Sequence, residues 1–316
     1  MNILVTGANG QLAKCVADVV NSNEHKHQYY FATKEQLDIT IEEDVEKYVT
    51  ANDIKLIVNC AAFTDVDGCE EKNTGTAFHV NTLAPLYLAN VMKRHNGMLV
   101  HISTDYVYKS DERWHGEPFR EWYADSLCDI NHRPTSMYGL TKYLGESAVI
   151  DTQCECIIIR TSWLYSRYGK NFFTKVLDRL TELQTKVEQF KVVSDQIGTP
   201  TWAPGLAKFI VTEICEKYDE LEDIYKHYTI NYSDEGSCSW YDFANAIQKL
   251  TAEYRHYPFE SVIYPCQTSD FPRVAKRPKY SVMSHETIKR MYPQYKLSWW
   301  QDNLERCVKD YYVPNE

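Results

Sequence analysis

The sequence has no apolar run approaching the length needed to cross a bilayer, and that excludes a membrane-spanning helix. It also has no lysine- and arginine-rich stripe. Its 34 basic residues are outnumbered by 44 acidic ones, and a net charge of −10 argues against a nucleic-acid surface. The ten cysteines are scattered, with Cys154 and Cys156 the one close pair, and that pair does not match a zinc spacing. The ten histidines show no His-Glu-x-x-His or similar pattern, so a metal reading is set aside. Reduced, mostly buried thiols suit a reducing compartment. The N-terminus runs directly into a strand, so no signal peptide is expected, and the expected location is the cytoplasm. No internal repeat or low-complexity segment interrupts the chain.

What is present begins at once. Ile3, Leu4 and Val5 read as a short buried strand. The chain then turns at Gly7, and a helix begins near Gly10 with Leu12, Val16, Val19 and Val20 on one side. A strand, a glycine turn and a helix opening is how α/β proteins bind a pyrophosphate. Gly7 permits the tight turn, Gly10 lets the backbone approach the phosphates, and the small Ala13 allows the helix to pack on the strand.

Further strands and helices alternate along the first half. Tyr29–Ala32 reads as a second strand ending in Thr33-Lys34, where many NAD-binding folds carry a carboxylate for the ribose hydroxyls. Lys34 could instead pair with the 2′-phosphate of NADP. A helix follows from about Ile41 to Asn52, then a third strand from Leu56 to Asn59, continued by the small residues Cys60, Ala61 and Ala62. Small side chains there leave room for a ligand at the strand's carboxyl end. A long helix from Thr74 to Arg94, a strand from Leu99 to Ser103, a helix from Tyr138 to Ile150 and a strand from Cys156 to Arg160 complete the series. The stretch from Lys109 to Pro134 reads as a long loop bordering the site. Such alternation predicts a doubly wound, largely parallel sheet. Beyond Thr161 the elements shorten and aromatics thicken. Helices are expected at Ala203–Lys217, Trp240–Leu250, His285–Met291 and Trp299–Tyr311, with a strand at Tyr228–Ile230. Two regions are expected: a dinucleotide-binding domain over 1–161, and a smaller substrate lobe over 162–316 interwoven with it.

Chemistry concentrates at Tyr138 and Lys142, four residues apart on one helical face. A lysine beside a phenol favours the phenolate, so Tyr138 is expected to titrate lower than an ordinary tyrosine and to exchange a proton with a carbonyl or alcohol. Lys142 could also donate to nucleotide ribose hydroxyls. Thr104, after the fourth strand, could hydrogen-bond the same carbonyl oxygen.

With these residues in place, the chain resembles the extended short-chain dehydrogenase/reductases, and specifically the dTDP-4-dehydrorhamnose reductase family. The matching segments are Thr6 to Leu12, Asn59 to Thr64, Ser103 to Tyr108, Tyr138 to Lys142, Arg160 to Tyr165, Asp195 to Thr201 and Arg277 to Ser281. The resemblance implies a Rossmann-type fold with a smaller C-terminal α/β lobe, and the catalytic set Thr104, Tyr138 and Lys142. It implies NADPH or NADH as cofactor, lined by Gly10, Gln11, Leu12, Asp38, Ile39, Ala62, Phe63 and Thr64. Thr104, Asp105 and Trp163 would touch the sugar of a nucleotide-sugar substrate, and a homodimer is compatible. Asp38 has a second reading as the cap of the helix near Ile41, and Trp163 a second reading as plain core. Some family members hold magnesium through glutamates at a dimer interface. Lys14-Cys15 and Gln189-Phe190-Lys191 offer no carboxylate there, so no metal is expected. The implied activity is reduction of the C4 ketone of dTDP-4-dehydro-6-deoxy-L-mannose to dTDP-L-rhamnose. Two alternatives stand beside it: a reductase of another nucleotide-linked keto-sugar, and a non-catalytic subunit resembling the regulatory subunit of methionine adenosyltransferase.

Overall fold

The structure, a computed structural model, describes residues 1–22, 24–109, 116–124, 133–183, 189–221, 227–256, 259 and 261–313. Six parallel strands form the central sheet: β1 (Asn2–Thr6), β2 (Gln28–Ala32), β3 (Ile54–Asn59), β4 (Met98–Thr104), β5 (Glu155–Thr161) and β6 (His227–Tyr232). Their order across the sheet is β6-β5-β4-β3-β1-β2. The chain winds outward from β1 to β2, then returns past β1 to β3 and continues the other way. The reversal opens a crevice at the carboxyl ends of β1 and β3, where such sheets bind ligands.

Both faces of the sheet are covered, which is why β1 is apolar at every central position. Ile3 and Val5 point to one face, against α1 (Gln11–Asn21) and α6 (Ala203–Phe209). Leu4 points to the other, against α2 (Glu42–Ala51) and α3 (Ala84–Arg94). Tyr138 and Lys142 lie on α4 (Met137–Asp151), whose Val149 joins that second face, and Thr104 closes β4.

The expected helix over Thr74–Arg94 is three pieces. An α-helical turn at Thr74–Phe78 passes into a wide turn at His79–Leu83 before α3 begins. The widening buries two polar side chains, Asn81 and Thr82, against α4. Asn81 Nδ2 donates to Thr141 Oγ1 at 3.3 Å and Thr82 Oγ1 to the Thr141 carbonyl at 2.8 Å. This crossing requires Gly145, where any Cβ would run into the Asn81 carbonyl. Cys60 to Ala62 do not extend β3 as expected, because the Ala61 N–H is taken by the Asn59 side chain rather than by a neighbouring strand.

The second half has its own core. In it α5 (Phe172–Leu183), α7 (Trp240–Arg255) and α8 (Trp300–Tyr312) pack Phe173, Leu177, Phe243, Ile247, Trp300 and Leu304 together. A parallel pair of short strands, Phe190–Val193 and Ile263–Cys266, lies beside it. Neither this pair nor α5 was foreseen. β6 also comes from this half, yet it completes the main sheet, and α6 packs on α1. The loop expected over 109–134 falls largely outside the described residues. Within its described part, Phe119 stacks on Tyr108 at 4.9 Å and exchanges backbone hydrogen bonds with Val282 and Ser284.

Candidate active site

β1 delivers the chain to Gly7, whose φ of +68° is open to glycine and costly for other residues. A Cβ there would also lie 2.9 Å from the backbone of Ala61, so the turn and the segment after β3 touch. The Gly10 N–H donates to the Gly7 carbonyl at 2.8 Å, and Gly10 serves as the cap of α1 with no side chain of its own to offer. The first turn of α1 carries no acidic residue. Its free amides and the positive end of its dipole therefore remain available to an anion. Ala13 is fully buried and Leu12 nearly so. Gln11 points elsewhere: its amide donates to the Leu164 carbonyl at 3.2 Å and accepts from Ser166 Oγ at 3.2 Å, tying α1 to the second half.

At the end of β2, the Thr33 N–H donates to Gln36 and Lys34 is exposed. Asp38 accepts from the Thr40 hydroxyl at 2.6 Å and from the Thr40 N–H at 3.0 Å, contacts that hold its carboxyl below the usual range. It closes that turn and does not cap α2, whose cap residue is Ile41. Ile39 is buried beside it. Across the crevice, Asn81 grips the backbone of Phe63 from both sides, at 2.9 and 3.0 Å. Ala61, Ala62 and Phe63 are thereby held half-buried, with Thr64 exposed.

The N-terminus of α4 is fixed by Ser136, whose hydroxyl accepts from the Gly139 N–H at 3.1 Å. Tyr138 follows, buried, with its ring edge-on to Tyr106 at 5.4 Å. Burial pushes its phenol above the ordinary value, and a hydrogen bond with Thr104 pulls the other way. This corrects the expectation of a lowered phenol. The reason is geometric: Lys142 does not reach toward the tyrosine. Its Nζ donates to the Ile102 carbonyl at 2.6 Å and sits 3.3 Å from His101 Nε2. Burial lowers the amine to about 8, with Glu146 acting against that.

Behind Lys142 runs a line of buried polar groups that crosses three strands. Thr6 Oγ1 donates to Asn59 Oδ1 at 2.7 Å, and Asn59 Nδ2 lies 3.1 Å from His101 Nδ1. Thr6, Asn59, His101 and Lys142 are each at most 1% exposed. The same Asn59 oxygen accepts from Ala61, so the line joins the glycine turn to α4. Sequence reasoning missed it, because its members lie on separate strands and only their shared height at the strand ends unites them.

Thr104 and Asp105 close β4, with the Thr104 hydroxyl donating to Asp105 Oδ1 at 3.1 Å. Burial pushes the Asp105 carboxyl up to about 6, against the Ser281 and Thr104 hydroxyls. Ser103 Oγ and Asp105 Oδ2 are buried without a hydrogen-bond partner among the described residues. Trp163 follows β5 with a φ of +46° and lies flat on Trp240 at 3.5 Å. Ser281 lies close to both Asp105 and Gly198, and the Trp163 indole covers Gly198, which brings the indole to the Thr104–Asp105 end of the crevice. Arg277 pairs with Asp67 at 2.7 Å and hydrogen-bonds Tyr106, beside Tyr138. Among the described residues, no group of three His, Cys, Asp or Glu side chains is placed to hold a metal.

The arrangement offers an anion-binding helix end, a buried proton donor with a hydroxyl beside it, and a partly uncompensated buried carboxylate. The family described as RmlD substrate binding domain matches residues 1–313. A dTDP-4-dehydrorhamnose reductase from Burkholderia thailandensis is 33% identical over 319 residues, covering 98% of this chain and 99% of the relative. A crystal structure of a Clostridium acetobutylicum dTDP-4-dehydrorhamnose reductase superposes with a TM-score of 0.84 at 32% identity, over 99% of this chain and all of the other. The Bacillus anthracis dTDP-4-dehydrorhamnose reductase, solved in complex with NADP, gives 0.82 at 32% identity over 98% and 99% of the two chains.

Proposed function

The chain belongs to the RmlD substrate binding domain family, and on that premise we propose that it is an NAD(P)H-dependent reductase of dTDP-4-dehydro-6-deoxy-L-mannose, yielding dTDP-L-rhamnose. The observation that carries this reading is the hydrogen bond between the buried Tyr138 phenol and Thr104 at the carboxyl end of β4, with Lys142 one turn further along α4.

The residues fit a nicotinamide dinucleotide. At Gly7 a Cβ would run into the Ala61 backbone and at Gly10 it would lie 3.1 Å from the Gly7 carbonyl, so the turn stays tight only with glycine there, and the α1 start, with no side-chain cap, suits a pyrophosphate. Gln11 and Leu12 would flank the phosphates. Thr33, Lys34, Asp38 and Ile39 would meet the adenosine end, and Ala61, Ala62, Phe63 and Thr64 the middle of the cofactor. When bound, the reduced nicotinamide supplies the hydride that the ketone carbon requires. Tyr138 supplies the proton. Its raised phenol arrives protonated at neutral pH and donates to the C4 oxygen, while the Thr104 hydroxyl shares that oxygen. Lys142 holds the ribose hydroxyls, and the Thr104 hydroxyl beside the phenol steadies the phenolate left behind. Asp105 and Trp163 position the sugar. Residues 1–161 hold the cofactor and residues 162–316 mainly cover the substrate, an arrangement compatible with a homodimer.

The test is a panel of nucleotide-linked 4-keto-6-deoxy sugars, with oxidation of NADPH followed by absorbance. Fastest turnover of the dTDP-linked rhamnose precursor is expected. Preference for a different keto-sugar would change the substrate, and no turnover of any would remove the enzyme reading.

A further inference from the structure

The hydrogen-bond line behind Lys142 has a direction that its fixed groups determine. Asn59 Oδ1 faces the Ala61 N–H at 3.2 Å, and a backbone N–H can only donate. The oxygen is therefore the acceptor, and the amide nitrogen Nδ2 faces His101 Nδ1 at 3.1 Å. Rotating the amide would set two donors against each other at Ala61. Nδ2 also only donates, so His101 Nδ1 carries no proton. A bare Nδ1 leaves the imidazole uncharged, as its burial also favours, so its one proton sits on Nε2, aimed at Lys142 Nζ 3.3 Å away. An ammonium has no lone pair to receive it, whereas an uncharged amine does, and the latter can still donate to the Ile102 carbonyl.

We propose that His101 is a positioning residue whose Nε2–H favours the uncharged Lys142 amine in the free protein, so that, on the alkaline side of the Lys142 titration, binding of a dinucleotide's ribose draws a proton from solvent onto Lys142. This rests on the reading of Lys142 as the ribose partner. The titratable and charged groups nearby are His101 of β4, Tyr138 and Glu146 of α4, Arg160 of β5, and Asp105, Tyr106 and Cys69 beside Tyr138. Arg160 takes up Glu146 in a bidentate pair, leaving the carboxylate little pull to spare for Lys142. Asn81 and Thr82, facing α4 from the wide turn, are neutral.

Two measurements test the proposal. In the free wild-type protein, imidazole nitrogen chemical shifts should show His101 protonated at Nε2 and bare at Nδ1, and the opposite tautomer overturns the proposal. NADPH affinity is then measured from pH 6.5 to 9.5 in the wild type and in His101→Gln, whose amide oxygen would accept from an ammonium. Wild-type affinity should fall as pH rises past Lys142's value, and the variant's fall should begin about one pH unit higher. A histidine with a merely structural role would lower affinity equally at every pH, and identical pH profiles overturn the proposal. If NADPH binds at no pH, the cofactor reading falls, and the tautomer still decides the His101 assignment.

Discussion

Lys142 and Glu146 stand one turn apart on α4, each 1% exposed, and the protein treats their charges in opposite ways. Glu146 receives both nitrogens of one edge of Arg160, at 2.6 to 3.1 Å, and Arg160 also donates to Tyr108 and to the Glu121 carbonyl. That charge is fully matched, and the cluster pins α4 to β5 and to the segment after β4. Among the described residues Lys142 has neutral hydrogen-bond partners, the Ile102 carbonyl and His101. A buried charge with a bidentate counter-charge is fixed in place, whereas one held by neutral groups keeps part of its desolvation penalty and gains from a new partner. On one helix, the first kind builds and the second kind works.

The largest effect expected is at the working end. Tyr138→Phe removes one hydroxyl and keeps the ring against Tyr106, so turnover should fall by about 10²- to 10⁴-fold, with melting temperature and NADPH affinity nearly unchanged. A fall of less than about tenfold would mean that water or another side chain delivers the proton.

Arg160→Met should show the reverse pattern. Glu146 is left buried without its partner, a loss of about 3–5 kcal/mol in unfolding free energy, read by denaturant titration. A loss under about 1 kcal/mol would erase the distinction between the two ends of the helix.

Lys142→Met should weaken NADPH binding and turnover yet raise stability at pH 7. The sign follows from linkage. The folded value of about 8 lies below the ordinary 10.5, so between these values the unfolded chain keeps a proton that the folded chain has lost, and wild-type stability rises with pH. The penalty is full below pH 8 and gone above 10.5. The variant's gain over wild type should therefore shrink across that window. A gain independent of pH would show that the amine carries no such penalty.

The smallest effect is expected at Lys34, an exposed charge of a third kind. NADPH should be accepted at least as well as NADH, and Lys34→Ala should cost NADPH a few-fold in KM, because exposed pairs contribute only about 0.2–1 kcal/mol. A strong preference for NADH in the wild type would mean that a carboxylate, Glu35 or Asp38, reads the ribose.

The parts of the site that were readable in advance are those built from neighbours along the chain. The strand at residues 2–6, the turn at Gly7 and the α1 start depend on local φ angles, apolar runs and helical spacing, and these are written in consecutive residues. The four-residue spacing of Tyr138 and Lys142 is of the same kind and placed both on α4. Spacing along a helix states which face a side chain leaves from, and no more. Where it ends depends on what stands opposite.

Tertiary structure decided the rest. Lys142 turns to Ile102 and His101 because β4 lies beneath α4, and Tyr138 is raised rather than lowered because burial outweighs a lysine that points away. Trp163 found its stacking partner 77 positions away in Trp240, and the strand His227–Tyr232 left its own half to complete the sheet of the other. The sequence by itself determined the first five strands of the sheet, the glycine turn and the face that carries the catalytic pair, because short-range sterics and apolar periodicity suffice for them. The protonation states, the hydrogen-bond direction through Asn59 and His101, and the partners of every buried charge needed the folded chain, because burial and opposed donors arise only once distant segments meet.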